Sequence, residues 1–309
     1  MFLRILRKLL IGIGVLWGAV TLTFLAINTA GGDPALTILG GDDAAVTKAA
    51  LDQVRIDYGL DKPILEQYFN YLGKIARGDF GESYRLHIPV TKAIGQQIGS
   101  TLQLAIPASI VTFVLAVVIA LATARRAPWI RSLASNTELV LSSMPSFLIG
   151  IALLLLFSFA IPIFPASGSE SWKSLILPSF AIALPVSSVL AQVLRNDIEE
   201  ILELPFILTS RTRGMGDASV RILHALRHAL IPLITLSGFI IAGLLGGTVV
   251  VETLFSRPGV GRLLSDSVSV KDVPIVLGVT TLSALVYVTV NVLVDISYAI
   301  VDPRIRISR

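Results

Sequence analysis

Cysteine is missing from the 309-residue chain altogether. That excludes a disulfide framework and any Cys-ligated metal or iron–sulfur centre, and it leaves redox chemistry silent on compartment. Charge is also scarce: Asp, Glu, Lys and Arg together make up 15% of residues, against roughly one quarter in an ordinary soluble domain. There are only three histidines. His224 and His228 stand i, i+4 in a helical stretch, as a zinc pair does, but Ala225, Leu226 and Arg227 fill the gap, so the Glu of a HExxH metalloprotease is missing. A polar helix end beside a membrane is the expected reading. A phosphate loop is absent too: the one Gly-Lys pair, Gly73-Lys74, has Tyr68 where GxxxxGK requires its first glycine.

What the chain has in abundance is apolar sequence, 54% of residues with mean hydropathy +0.80, the composition of a membrane protein. The net charge of +4 comes from short basic clusters beside apolar runs, which mark inner loops rather than a nucleic-acid surface. Runs long enough to span a bilayer, about 20 residues each, fall at 9–29, 101–123, 139–161, 174–194, 229–253 and 273–300. The first follows "MFLRILRK" without a small-residue cleavage pattern and reads as a retained helix, not a signal peptide. With six crossings starting inside, the inner segments carry fourteen Lys and Arg and the two short outer loops four, so both termini are expected in the cytoplasm.

The reading is therefore an all-α membrane protein in three parts: 1–29, the cytoplasmic N-terminus and first span; 30–100, an extracytoplasmic helical segment; and 101–309, a five-helix core with a cytoplasmic loop at 195–228. In the outer segment one helix should stop at Gly59. Asp61 can cap another with Pro63 in its first turn. Leu65, Tyr68, Phe69, Leu72 and Ile75 then form one apolar stripe that packs onto the outer mouth of the spans.

The loop invites a partner. Pro205 should start or interrupt a helix, and Gly214 and Gly216 divide one short helix, about 203–213, from another, about 217–230. Phe206, Ile207 and Met215 beside Arg211 and Arg213 read as apolar groups offered to water within a charged rim, the composition of a docking surface.

"TSRTRG" at 209–214, followed by "HALRHALIP" at 224–232, resembles the cytoplasmic EAA-type loop of ATP-binding-cassette importer permeases, in the peptide, opine and nickel subfamily. Ser210 and Thr212 stand where the family usually has alanine, and His228 where it usually has Asn. "YGLDKPILEQYFNYLGKIARGDFGESY" (58–84), "TLQLAIPA" (101–108), "SMPSFLIGI" (143–151), "GGTVVVETLFSRPGVGR" (246–262) and "DISYAIVDPRIR" (295–306) are similar, in order, to the first permease subunit of that subfamily. The resemblance implies a type I importer permease fold and no ATPase site on this chain. Its partners would be a second homologous permease, two subunits that carry ATP and Mg, and an extracytoplasmic substrate-binding protein, all at the bacterial inner membrane. Glu203, Pro205, Phe206, Ile207, Thr209, Ser210, Arg211, Arg213, Gly214 and Met215 would then meet an ATPase. The resemblance assigns no catalytic residue.

Gly247, Thr248 and Glu252 are candidates for the substrate path, since a carboxylate inside a span is a default functional site, although small residues also serve close helix packing. Arg257, Pro258, Gly259 and Gly261 form an outer turn that could touch the binding protein. Glu138 and Asp295 are expected to orient helix ends. Short peptides are the first choice of solute, with a nickel or other metal chelate or an opine as the alternative. An ion-coupled secondary transporter is the rival of another class; it should show broken helices or an internal repeat. A membrane-bound enzyme seated in 30–100 would need a nucleophile or metal motif that this segment lacks.

Overall fold

A computed structural model describes residues 2–29, 33–40, 47–230 and 247–301. Among them every regular element is helical. Among the described residues four helices are long and apolar enough to cross a membrane, Leu10–Thr29, Val90–Thr123, Trp172–Ile201 and Val273–Leu293, and a bent pair, Pro128–Ser143 with Ser146–Ala160, supplies a fifth candidate. They fall on the first, second, fourth, sixth and third expected spans. The expected fifth span lies largely outside the described residues, as do Pro232 and the basic tail from 302 onward.

The chain forms two compact units. One comprises residues 1–101 and 258–288. It contains α1 (Phe2–Thr29), α2 (Pro34–Ile38), α3 (Lys48–Tyr58), α4 (Ile64–Ala76), the first part of α5 (Val90–Thr123), α12 (Val260–Ser269) and most of α13 (Val273–Val301). The Thr47 hydroxyl accepts from Ala50 N–H to start α3, and Gly59, at φ +67°, ends it. Asp61 does not cap α4: Pro63 itself occupies the capping position and no side chain bonds there. The α4 stripe is split. Tyr68 shares a 2.6 Å hydrogen bond with Thr21 of α1 and stacks at 5.4 Å on Phe24, whereas Leu65 and Phe69 are exposed.

Buried Asp272 ties this unit together by accepting from the Ser83 hydroxyl and from the N–H groups of Tyr84 and Arg85. The Thr37 hydroxyl donates to Val270 O at 2.6 Å. Val90, Ala93, Ile94, Val260, Ile275 and Val279 form its core. Two glycines admit close packing there: a Cβ on Gly278 would sit 2.5 Å from Val90 Cγ1, and one on Gly12 would sit 2.6 Å from Val288 Cγ1.

The other unit comprises 102–257 and 289–309. It holds the rest of α5, α6 (Pro128–Ser143), α7 (Ser146–Leu154, prolonged by a π turn to Ala160), α8 (Ile176–Ile201), α9 (Pro205–Thr212), α10 (Asp217–Ser219, prolonged by a π turn over Val220–Leu226) and α11 (247–254). The third expected span is not one straight helix. Its halves α6 and α7 meet at 104° around Met144, which is extended at φ −87°, ψ 131°, the conformation that a following proline favours. Two apolar cores result. One gathers Leu190, Leu194, Ile198, Leu202, Ile207 and Val220; the other gathers Leu104, Leu177, Ile182, Val251 and Phe255.

Gly278→Ile forces a branched chain onto fully buried Val90, so we expect a loss of about 1–3 kcal/mol, read as a lower melting temperature of the detergent-solubilised protein. Gly73→Ala on α4, where a new Cβ meets nothing within 4 Å, is expected to raise it slightly through helix propensity.

Candidate functional site

The loop begins where α8 ends. Leu204 is extended at φ −70°, ψ 146°, and Pro205 occupies the first turn of α9, where a missing N–H costs nothing. Gly214, at φ +86°, makes the left-handed turn out of α9, and a Cβ there would meet nothing within 4 Å. Within this chain the glycine serves backbone conformation, not close approach.

The faces of α9 differ from the expectation. Ile207 is 1% exposed and packed into the core with Leu194, Ile198 and Val220, so it is not offered to water. Helical periodicity turns it inward to cover the end of α8. Phe206 is exposed as expected, and Leu204 and Leu208 are exposed beside it, Leu208 at 67%. Met215 is half-buried, with its Sδ 3.4 Å from His224 Nε2, and the Phe206 ring meets His228 at a tilt, centroids 5.4 Å apart. The two histidines therefore serve different neighbours. The Thr209 and Ser210 hydroxyls donate back to Pro205 O and Phe206 O, within their own helix. Arg213 is exposed, and Arg211 pairs with Asp217 at 3.0 Å.

Charged groups brace the loop against the turn between α5 and α6. Glu203 pairs with Arg125 at 2.9 Å, and Glu199 pairs with Arg131 at 3.1 Å. Arg221 is buried; its Nε donates to Asp217 at 2.6 Å and its Nη1 to Ala124 O at 2.5 Å. Deeper in, Arg195 and Glu138 form a two-pronged pair, both contacts 2.8 Å, and Arg195 also donates to the hydroxyls of Thr123 and Ser135.

Residues 112–307 match the binding-protein-dependent transport system inner membrane component family, and residues 1–105 match the N-terminal membrane component of the same systems. The chain belongs to this family. It is a permease component of a binding-protein-dependent transport system and a multi-pass protein of the bacterial inner membrane. Its relatives include a putative peptide transport system permease protein of Brucella abortus (strain 2308), 34% identical over 311 aligned positions that cover 98% of each chain. A glutathione transport system permease protein of Salmonella typhimurium is 36% identical over 304 positions, again 98% of both. A further putative peptide transport permease, of Brucella suis, is 34% identical over 310 positions, 97% of this chain and 98% of the relative.

In the permease, Thr248 and Glu252 are buried on the inner side of α11, while Val250 and Thr253 are exposed and a Cβ on Gly247 would meet nothing within 4 Å. The open face of α11 is thus not the one that carries the carboxylate. Arg257 lies 1% exposed and donates through Nη1 to Gly168 O, Ser174 O and the Ser174 hydroxyl. It pins the segment between α7 and α8 from within, and Gly259 and Gly261 are buried as well. Of the four residues expected to touch a binding protein, only Pro258 is partly exposed. The side chain of Asp295 lies outside the described residues.

Leu208, Arg221 and the Glu138–Arg195 pair were not singled out from sequence. The signal for Leu208 was present, since it is apolar and adjoins Ile207. The pairs join residues 57 and 97 positions apart, Arg195 to Glu138 and Arg221 to Ala124, and spacing along one helix cannot show them.

Glu138→Gln leaves the Arg195 charge buried without its partner, and we expect a loss of about 3–5 kcal/mol, seen as a large drop in melting temperature. The double change Glu138→Leu with Arg195→Met removes both charges and should recover most of it. The Asp217 carboxyl is held below its ordinary 3.8, first by the hydrogen bond from Arg221 and then by the charges of Arg221, Arg211 and Arg126. Its support for the loop is therefore complete above about pH 4 and is lost as pH falls through the lower folded-state value. Hydrogen exchange of residues 205–226 should stay flat from pH 7 to 5 after correction for intrinsic rates, and protection should fall only on further acidification.

Proposed function

We propose that the chain is one of two homologous permeases in an ATP-driven importer that takes up short peptides, glutathione included, from an extracytoplasmic binding protein. The observation that carries this reading is the likeness, over nearly the whole chain, to permeases named for peptide and for glutathione transport. In this reading six spans place both termini and the 195–228 loop in the cytoplasm and residues 30–100 outside. Leu204, Phe206 and Leu208 supply the apolar contact with an ATPase subunit, with Arg211 and Arg213 at its rim, while ATP and Mg reside on the two ATPase subunits. Ile207 belongs to the support beneath that surface. On the solute path, the open side of α11 at Gly247 and Val250 replaces buried Thr248 and Glu252. Closure of the ATPases displaces the loop, and the loop shifts the spans between inward-open and outward-open arrangements.

The test is ATP hydrolysis by the reconstituted assembly of both permeases, both ATPase subunits and the binding protein, with one class of solute added at a time. We expect a dipeptide, a tripeptide or glutathione to stimulate hydrolysis, and Leu208→Glu to abolish co-purification of an ATPase subunit by placing a carboxylate in an apolar contact. Stimulation by a nickel chelate or an opine alone would reassign the solute. Uptake driven by an ion gradient without ATPase subunits would overturn the importer reading.

A further inference from the structure

The turn between α5 and α6 is held from both ends of the loop. On the entry side, Arg125 N–H donates to Glu199 at 3.1 Å and the Arg125 guanidinium reaches Glu203 at 2.9 Å. On the exit side stands Arg221, at the start of the π turn. The two grips differ in kind. The Arg125–Glu203 pair is exposed to solvent on both partners and contributes little. The Arg221 side chain is only 8% exposed, and its acceptor is a carbonyl at the end of a helix. α5 ends at Thr123, Arg125 turns left-handed at φ +49°, and the residue four positions after Ala124 is Pro128, which has no N–H to give. Ala124 O is therefore an orphan acceptor at the negative end of the helix, the position where a cation is most favourable.

The other side of the guanidinium is fixed as well. Its Nε bonds one Asp217 oxygen at 2.6 Å, and the second Asp217 oxygen takes Arg211 of α9 at 3.0 Å. A continuous path of charge-assisted hydrogen bonds thus runs from α9 through Asp217 and Arg221 into the backbone of α5. No covalent neighbour supplies that path, because the chain connects the loop directly only to α8 and to the segment after residue 226.

We propose that Arg221 is a positioning residue that passes displacement of the loop straight to the inner end of α5, so that the loop and the α5–α6 turn move as one piece during transport. This rests on the reading that the loop meets an ATPase. Arginine suits the role because its planar fork serves two acceptors at once, whereas lysine presents a single ammonium on a flexible stem.

Because the chain has no cysteine, Ala127→Cys with Ala218→Cys, both exposed, gives a clean pair for spin labels, attached before assembly with unlabelled partners. In the complete importer we expect one narrow distance between them, constant within about 2 Å between nucleotide-free and ATP-trapped states. With Arg221→Ala the distance should change on trapping, and solute transported per ATP should fall about tenfold, while the ATPase subunits still co-purify. Arg221→Lys should lie between the two. If Arg221→Ala does not assemble, Asp217→Asn, which loosens the guanidinium without removing it, should shift both readouts in the same direction. A label distance that changes with nucleotide in the unsubstituted importer overturns the proposal. So do variants that leave both the distance and the transport per ATP unchanged. Failure of the ATPase subunits to co-purify with the unsubstituted permease is a different result: it removes the docking reading on which the proposal rests.

Discussion

The Glu138–Arg195 fork sets the conditions for the unit that carries the loop. Two opposite charges lie almost fully buried, in a chain with few charges of any kind, and neither can be left alone without a large desolvation cost. Satisfying both fixes more than the pair. Arg195 is on α8, Glu138 and Ser135 are on α6, and Thr123 ends α5, so one guanidinium sets three helices in register. With α6 held along α8, Arg131 reaches Glu199, and the turn at 124–127 comes under the loop.

That arrangement gives the loop a foundation. α9 covers the end of α8 with Ile207 and leaves Leu204, Phe206 and Leu208 outside. One short helix thereby does two jobs, sealing a core on one side and presenting an apolar surface on the other, as only an amphipathic segment with a sharp turn at each end can. Pro205 and Gly214 supply those turns. In a permease, which has no nucleotide chemistry of its own, the loop is braced from beneath by buried Arg221 and by the Glu138–Arg195 fork instead of by sheet or disulfide.

Much of this was legible in sequence. The class, the apolar spans that can be compared, the turns at Pro205 and Gly214 and the family all followed from hydropathy, turn residues and ordered motifs, because each of those signals is local. Direction was harder. Ile207 and Leu208 are adjacent and equally apolar, and which one faces the core depends on how α9 packs on α8. Arg257 was read as an outer contact because arginine beside proline and glycine suggests an exposed turn, yet it is buried among carbonyl oxygens that no sequence pattern announces. The break at Met144 was visible in principle, since Pro145 restricts the residue before it, but the apolar run on either side masked it. Broken helices were expected of a secondary transporter; here one occurs in a member of a binding-protein-dependent family, so the feature does not separate the two classes.

The glycines of the unit formed by 1–101 and 258–288 limit how its helices can travel. Val90 sits over Gly278, and Gly12 sits under Val288, each pair closer than any Cβ would permit. A knob seated in a notch resists translation, because a slide along either axis brings the methyl groups against a neighbour that has a side chain. It resists rotation as well, because Ile94 Cδ1 and Phe80 Cδ1 lie within 4 Å of where a Cβ on Gly278 would stand, and a turn of the helix brings the residues beside the glycine onto Val90. α13 is notched at 278 and serves as the knob at 288, about 15 Å further along a helix that rises 1.5 Å per residue. Two such seats that far apart fix α13 lengthwise, so a side chain at either glycine would lever the helix away from its neighbour.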